Sequence, residues 1–477
     1  MKSLLICLLL SLSLTSLAQN KPNVVLIMMD DLGYGDLSCY GASEYATPQI
    51  DQMAKNGVRF THFLSAQAVC SASRAGLLTG CYPNRIGISG ALFPNSKIGI
   101  NASEETIAEL LHSNGYVTGM FGKWHLGDRK DFLPMQHGFD EYVGIPYSND
   151  MWPVDYDGQK AIAPSNKSRF PLLPLIRNNE PEKYIETLDD QAQLIQILTK
   201  ESVQFIEKNK SKPFFLYLPH PMPHVPINAS KDFRGKSKQG LFGDVMMEMD
   251  WSVGEILATL KKHKLEKNTI VIFTSDNGPW QNFGNHAGST GGLREAKGSS
   301  FEGGQRVPFI VQWKGHLPEG KVQAGLASNI DLLPTICALT QSPLPQKKID
   351  GVNIQRLMEG SQTAEPRKSF YYYYRTNNLE AVRKGNWKLV FAHPGRTHEG
   401  FLPGKDGYPG KLNEDFAFNQ GLYDLRRDPG ERYDVSSMHP EIVAELEALG
   451  NQAREDLGDD LKSMPGTGKR MPGKRND

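Results

Sequence analysis

Four continuous apolar runs, each ending abruptly in polar residues, constrain the fold of this chain more than any other feature. Asn23–Met29 runs into Asp30-Asp31, and Val117–Phe121 into Gly122-Lys123-Trp124-His125. Phe214–Leu218 runs into Pro219-His220, and Ile270–Ser275 into Asp276-Asn277-Gly278. An apolar run without alternation is the pattern of a strand buried on both faces, as in parallel sheets. Between the last two lies an amphipathic helix, with Val245, Met249, Val253, Ile256, Leu257 and Leu260 at three- and four-residue spacing. Strands alternating with helices predict an α/β fold with a mostly parallel sheet flanked by helices. Ligands of such folds bind beyond the carboxyl ends of the strands, which is where the four polar clusters fall.

The character changes near residue 365. Phe370–Tyr374, Glu380–Arg383 and Trp387–Phe391 read as short antiparallel strands, joined by tight turns such as Lys384-Gly385-Asn386. Ile442–Leu457 reads as a terminal helix. The predicted organisation is a large α/β domain over 19–365 and a smaller α+β subdomain with an antiparallel sheet over 366–461. A disordered tail is predicted over 462–477, rich in Gly, Pro, Lys and Arg. Residues 1–18 read as a signal peptide: Lys2 is the positive end, Leu4–Leu14 the apolar core and Ser16-Leu17-Ala18 the cleavage site. The apolar core is too short for a membrane span and no later stretch approaches one. The expected product is exported, to the periplasm or the medium.

A chain of 477 residues with formal net charge +0 lacks the basic excess of nucleic-acid binders. Cys39, Cys70, Cys81 and Cys337 follow the cleavage site, too few for a disulfide framework at this length.

Two adjacent carboxylates in a buried crevice repel unless a cation neutralises them. Alone, Asp30-Asp31 reads as a solvated turn or helix cap. Asp276-Asn277 at a second strand end shifts that balance, giving three carboxylates and an amide oxygen. That is a hard, all-oxygen set suited to Ca²⁺ or Mg²⁺ rather than zinc. Lys123 and His125, two residues apart after a strand, can point into one crevice. His224 lies in the proline-stiffened Pro219-His220-Pro221-Met222-Pro223-His224, where His220 competes with it. Lys297 lies in the glycine-rich Gly291–Gly298, where an exposed loop lysine is the ordinary reading. Cys70-Ser71-Ala72-Ser73-Arg74, closed by Leu78-Thr79-Gly80, suits a helix N-terminus, whose N–H groups and dipole favour an anion.

That last stretch resembles the type I (formylglycine-dependent) sulfatase signature, and Gly115–His125 resembles the second signature of that family. Phe301–Pro308, Gly421–Leu425 and Asp428–Glu431 extend the resemblance over nearly the whole chain after residue 18, towards arylsulfatase A and the galactosamine-6-sulfatases of the alkaline phosphatase superfamily. The resemblance implies an alkaline-phosphatase-like fold, hydrolysis of sulfate monoesters on a sulfated carbohydrate, and Cys70 oxidised to Cα-formylglycine by a formylglycine-generating enzyme. It also favours His224 over His220. It implies one Ca²⁺ held by Asp30, Asp31, Asp276, Asn277 and modified residue 70. The implied roles give Arg74 and Lys123 a hold on the nucleophile, and Lys123 and Lys297 the sulfate oxygens. His224, helped by Lys297, becomes the general acid and His125 the base that lets sulfate depart. Asn149, Asp150, Trp152, His286, Arg375 and His393 are candidate sugar contacts or ordinary loop chemistry.

Two other readings stay open. A phosphonate or phosphate monoester hydrolase of the same superfamily shares the tetrahedral oxyanion, although the Ser or Thr nucleophile and His-rich zinc ligands of alkaline phosphatases are not in the sequence. An unconverted Cys70 would instead leave a non-catalytic protein binding sulfated glycans.

Overall fold

A computed structural model describes residues 21–475; the signal-peptide reading lies outside them. The main sheet has ten strands. In chain order they are β1 (Asn23–Met29), β2 (Val58–Phe60), β3 (Val117–Lys123), β4 (Glu141–Ile145), β5 (Leu173–Arg177), β6 (Glu180–Ile185), β7 (Phe214–Pro219), β8 (Thr269–Ser275), β9 (Phe309–Gln312) and β10 (Lys321–Gln323). Their spatial order is β10-β2-β9-β8-β1-β7-β3-β4-β5-β6. The middle five, β8-β1-β7-β3-β4, are parallel, and antiparallel pairs flank them on either side. All four apolar runs are therefore interior strands of the parallel core, as their lack of alternation requires.

β1 shows why a buried strand must be apolar throughout. Val24, Leu26 and Met28 pack into the core on one face, Val25, Ile27 and Met29 into that on the other. The first core holds α1 (Cys70–Thr79); the second holds α2 (Leu194–Asn209) and α3 (Leu241–Lys262). The predicted stripe of α3 is buried at Val245, Met249, Val253, Ile256 and Leu260, with Leu257 at its margin.

A four-stranded antiparallel sheet follows, with β11 (Ser369–Tyr374), β12 (Asn378–Lys384), β13 (Trp387–Val390) and β14 (Gly421–Asp424) in that spatial order. Helix α4 (Pro440–Leu457) covers it, and Phe370, Tyr372, Leu389, Leu422, Leu446 and Ala453 form a third core. The expected α/β sheet and C-terminal antiparallel sheet are thus both present.

The expected disordered tail is not what the structure shows. From Met464 the chain runs back over the main domain, and Gly473–Lys474 pairs antiparallel with Ile98–Gly99. Arg470 donates to both Glu104 carboxylate oxygens at 2.7 Å. Composition misled because this segment is held by backbone pairing and ion pairs rather than by apolar burial. Cys39, Cys70, Cys81 and Cys337 are all unpaired. No helix among the described residues is long and apolar enough to cross a membrane.

Candidate active site

Strand register assembles the site. Met29 of β1 lies opposite Ser275 of β8, so Asp30 and Asp276 leave adjacent strands side by side. The Asp31 N–H donates to Asp276 Oδ1 at 3.1 Å, and Asn277 Nδ2 to Asp31 Oδ1 at 2.7 Å. Asp31 reaches this position with φ +62°, a left-handed conformation that residues other than glycine adopt only when neighbours enforce it.

β3 is two residues longer than predicted and carries Lys123 itself. Gly122 permits this, because a Cβ there would meet the Pro219 carbonyl oxygen of β7 at 1.9 Å. Lys123 Nζ then donates to Asp30 Oδ2 at 2.5 Å and to Ser148 Oγ at 3.1 Å. His125 follows at φ +64°.

α1 begins at Cys70, with Val69 as its N-cap, and every residue of the helix is buried. That burial explains the small residues around the cysteine: a Cβ on Gly76 would meet the Ala66 Cβ at 2.7 Å. Arg74, one turn on, donates through Nε and Nη2 to Asp276 Oδ2 at 2.9 and 2.8 Å, and through Nη1 to the Lys123 carbonyl at 2.7 Å. Its guanidinium also lies 3.5 Å from Asp30. The resemblance gave Arg74 a hold on residue 70; its bonds here go to the carboxylates. Lys297 Nζ lies 2.7 and 2.8 Å from the two Asp31 oxygens and over the Trp280 ring at 4.6 Å.

Both histidines have their tautomers set by a backbone carbonyl. His125 Nε2 lies 2.9 Å from the Leu92 carbonyl, and His224 Nδ1 lies 2.6 Å from that of Val225. A carbonyl can only accept, so the proton sits on those nitrogens. His125 Nδ1 is left buried and unbonded, while His224 Nε2 faces Asp31 at 3.6 Å and Ser148 at 3.5 Å. Burial holds both histidines below their ordinary range, aided by Lys123 at His125 and Lys297 at His224. His220 is excluded from the site; it bonds Ser252 of α3 at 2.9 Å.

Three carboxylates thus meet three cations in a fully buried cluster. Burial pushes Asp30 up, but Lys123, His224, Arg74 and Lys297 outweigh it and hold the carboxyl well below the usual range. Burial and the Asp30 charge push Asp276 up. The fit to a cation rests on unbonded acceptors: Asp30 Oδ1 and Asn277 Oδ1 are buried without a partner. Ligand atoms of Asp30, Asp31, Cys70 and His224 lie within 4.8 Å of one another. Asp276 stands outside that foursome, with its two oxygens held by Arg74 and the Asp31 N–H. Unbonded carboxylate and amide oxygens gathered in one crevice suit a hard divalent ion. The Cys70 thiol is pushed up to about 12, mainly by burial. Unmodified, it is a thiol and not a nucleophilic thiolate.

Ser148 is a site residue that the sequence reading missed. β4 ends at Ile145 and releases Pro146-Tyr147-Ser148, the same apolar-run-then-polar pattern as the other four strand ends. Of the candidate sugar contacts, Asn149 is committed to structure, donating to the His224 and Pro226 carbonyls at 3.2 Å. His393 is buried against the Phe391 carbonyl at 2.7 Å.

Residues 22–342 match the family described as Sulfatase, and residues 365–469 the C-terminal region of aryl-sulfatase. The chain belongs to the sulfatase family. It is 36% identical to human arylsulfatase A over 93% of its length and 89% of that protein's. Human N-acetylgalactosamine-6-sulfatase is 36% identical as well, over 92% of this chain and 87% of the relative. Among solved structures, the PsFucS1 sulfatase of Pseudoalteromonas superposes with TM-score 0.81 at 28% identity, covering 94% of this chain and 92% of that one. BT33336S-sulf, from glycosaminoglycan metabolism in Bacteroides thetaiotaomicron, superposes with TM-score 0.76 at 33% identity, covering 91% and 99%. This sulfatase is a sulfuric ester hydrolase, with an alkaline-phosphatase-like fold.

Proposed function

We propose that this sulfatase removes sulfate monoesters from a sulfated carbohydrate, using Ca²⁺ and a formylglycine made from Cys70. The observation that carries the reading is the gathering of position 70, unbonded acidic and amide oxygens, two lysines and two histidines in one buried crevice. The carbohydrate class follows from the relatives, one of which is named for N-acetylgalactosamine and another for glycosaminoglycan metabolism. Export, read from residues 1–18, would put the enzyme where such polymers occur.

Asp30, Asp31, Asp276, Asn277 and the residue at 70 would hold the ion. When bound it supplies positive charge at the sulfate oxygens, and the hydrated aldehyde supplies an attacking hydroxyl and a second one for release. The chain's own residues do the rest. Lys123 and Lys297 are fixed cations for the developing oxyanion, preorganised by their aspartate contacts. A sugar alcohol is a poor leaving group, so a proton donor is needed; donors of this kind contribute about 10²–10⁴-fold. With Nδ1–H tied to the Val225 carbonyl, His224 can act as the donor only through Nε2, after taking up a proton there to become the imidazolium. His125 offers the opposite arrangement, a neutral ring whose unbonded Nδ1 can accept a proton when sulfate is expelled.

The test is Cys70→Ser, assayed on aryl sulfate and on sulfated mono- and disaccharides. Serine has no second hydroxyl, so turnover should fall by at least ~10³-fold, or the variant should trap sulfate covalently. Intact mass of the wild type should show residue 70 with one sulfur and two hydrogens exchanged for one oxygen. Undiminished multiple turnover by Cys70→Ser overturns the reading. Turnover of aryl phosphonate in preference to aryl sulfate would assign the site to phosphonate esters.

A further inference from the structure

The segment that carries Lys297 has no strand and only a one-turn helix, Glu302–Gln305, to hold it. Its supports come from two sides. On the catalytic side, Lys297 N donates to the Pro279 carbonyl at 3.0 Å, and Gly298 N to the Ala68 carbonyl at 2.9 Å. Gly278 N donates to the Gly304 carbonyl at 2.9 Å. The segment is therefore wedged between the lead-in to Cys70 and the lead-out from Asn277.

On its other side it is tied to the C-terminal unit. Lys388 of β13 donates to the Ser300 carbonyl at 2.8 Å and lies 2.7 Å from Glu431. Glu302 N donates to Glu431 Oε2 at 2.7 Å. The Glu302 carboxylate accepts from Tyr372 of β11 at 2.7 Å, Lys388 at 3.2 Å and Arg383 of β12 at 3.3 Å, besides its own neighbour Arg306 at 2.7 Å. The side chains of Glu302, Arg383, Lys388 and Glu431 are all 0% exposed. Two residues before Lys297, Glu295 sits at φ +55°. Its carboxylate accepts from Thr397 Oγ1 at 2.6 Å and from the His398 N–H at 2.9 Å. A strained residue persists only where its surroundings over-determine it. Here those surroundings include the C-terminal unit, through Thr397 and His398.

We propose that the C-terminal unit is part of the active-site scaffold, with Lys388, Glu431 and Thr397 acting as positioning residues for Lys297. None of them touches the reacting atoms. They fix the backbone on both sides of a lysine whose Nζ must stay over Asp31, and a misplacement of about 1 Å at such a group can cost about 10²-fold in rate. The inference rests on the assignment of Lys297 to the sulfate oxygens, so its test has one arm that does not depend on turnover.

The double variant Lys388→Met/Glu431→Gln removes one buried cation and one buried anion together, leaving net charge unchanged. Thr397→Val removes a single hydroxyl and is the fallback if the double variant does not fold. Hydrogen exchange of the full-length protein should show the amides of Lys297, Gly298 and Gly303 opening at least ~10-fold faster, with those of α3 unchanged. On aryl sulfate, kcat should fall about 10–100-fold with KM within about twofold. Tyr373→Phe, which loses bonds only to the Ala453 and Gly458 carbonyls, should leave both readouts as in the wild type. Folded variants with wild-type exchange over 294–304 overturn the proposal. Faster exchange in a protein that releases sulfate from nothing, wild type included, would instead sink the sulfatase reading and leave the scaffold role standing.

Discussion

Two buried carboxylates, Asp30 and Glu302, show how similar surroundings serve opposite ends. Both are fully buried, both are held well below the usual carboxylate range by neighbouring cations, and both sit at the end of a regular element, Asp30 just past β1 and Glu302 at the start of a one-turn helix. They differ in what is left over. Glu302 has donors on both oxygens: Tyr372 and Lys388 on Oε1, Arg306 and Arg383 on Oε2. Asp30 has Lys123 and Arg74 crowded onto Oδ2, and Oδ1 has no partner. A saturated carboxylate is a joint. A buried, ionised carboxylate with an unused oxygen is half of an interaction, and the other half is a ligand.

The largest effect expected to break this distinction is at Asp30. Asp30→Asn keeps the shape and removes the charge, so activity should fall by about 10²–10³-fold or more. Chelation should abolish wild-type activity and lower its Tm, because an ion bound only to the folded state stabilises it; calcium should restore both better than zinc. The Tm of Asp30→Asn should barely respond to chelator. A chelator shift of wild-type size in that variant would refute the ligand role of Asp30. Glu302→Gln should do the reverse. Removing one partner from a buried ionic network costs about 3–5 kcal/mol, so thermal unfolding should move sharply down, while the chelator shift stays of wild-type size. Loss of that shift in Glu302→Gln would merge the two clusters into one.

The sequence made one of these clusters readable and hid the other for a single reason. Asp30, Lys123, Asp276 and Asn277 stand where uninterrupted apolar runs stop, and a parallel sheet brings such ends to one edge. Ser148 follows the same rule but was lost because Glu141–Ile145 is short and interrupted by Gly144. Lys388, Arg383 and Glu431 lie in or beside antiparallel strands, where a charged residue in alternation normally faces water. Nothing local marks them as buried; the residue they share, Glu302, is 81, 86 and 129 residues away in sequence from Arg383, Lys388 and Glu431. The tail from Met464 was misread for a related cause, since backbone pairing to Ile98–Gly99 leaves no apolar trace.

Glu380 supplies the control that the comparison needs, and the smallest expected effect. It too is fully buried with an unbonded oxygen, Oε1, yet nothing suggests a ligand there. The difference is charge. Burial pushes its carboxyl up to about 8 against the opposing pull of the Ser300 hydroxyl, Arg375 and Lys388, and Asp459 adds to the rise. Its neighbour His393, 3.4 Å away, is pushed down to about 4, chiefly by burial. The pair is neutral near pH 7, a protonated acid beside an unprotonated ring. Linkage fixes the sign of the consequence. A carboxyl raised from 4.5 to about 8 on folding contributes stability that is fully present below pH 4.5 and lost as pH rises through 8. The histidine, lowered from 6.5 to about 4, contributes stability present above 6.5 and lost as pH falls through 4. The two slopes cancel between 4.5 and 6.5, leaving a decline of about 1.4 kcal/mol per pH unit from 6.5 to 8. Glu380→Gln cannot lose a proton, so this branch should vanish from a urea-unfolding series across that window, with turnover kept. If the variant and wild type fall in parallel, Glu380 is ionised in the folded protein, and an unbonded oxygen alone no longer tells a joint from a ligand.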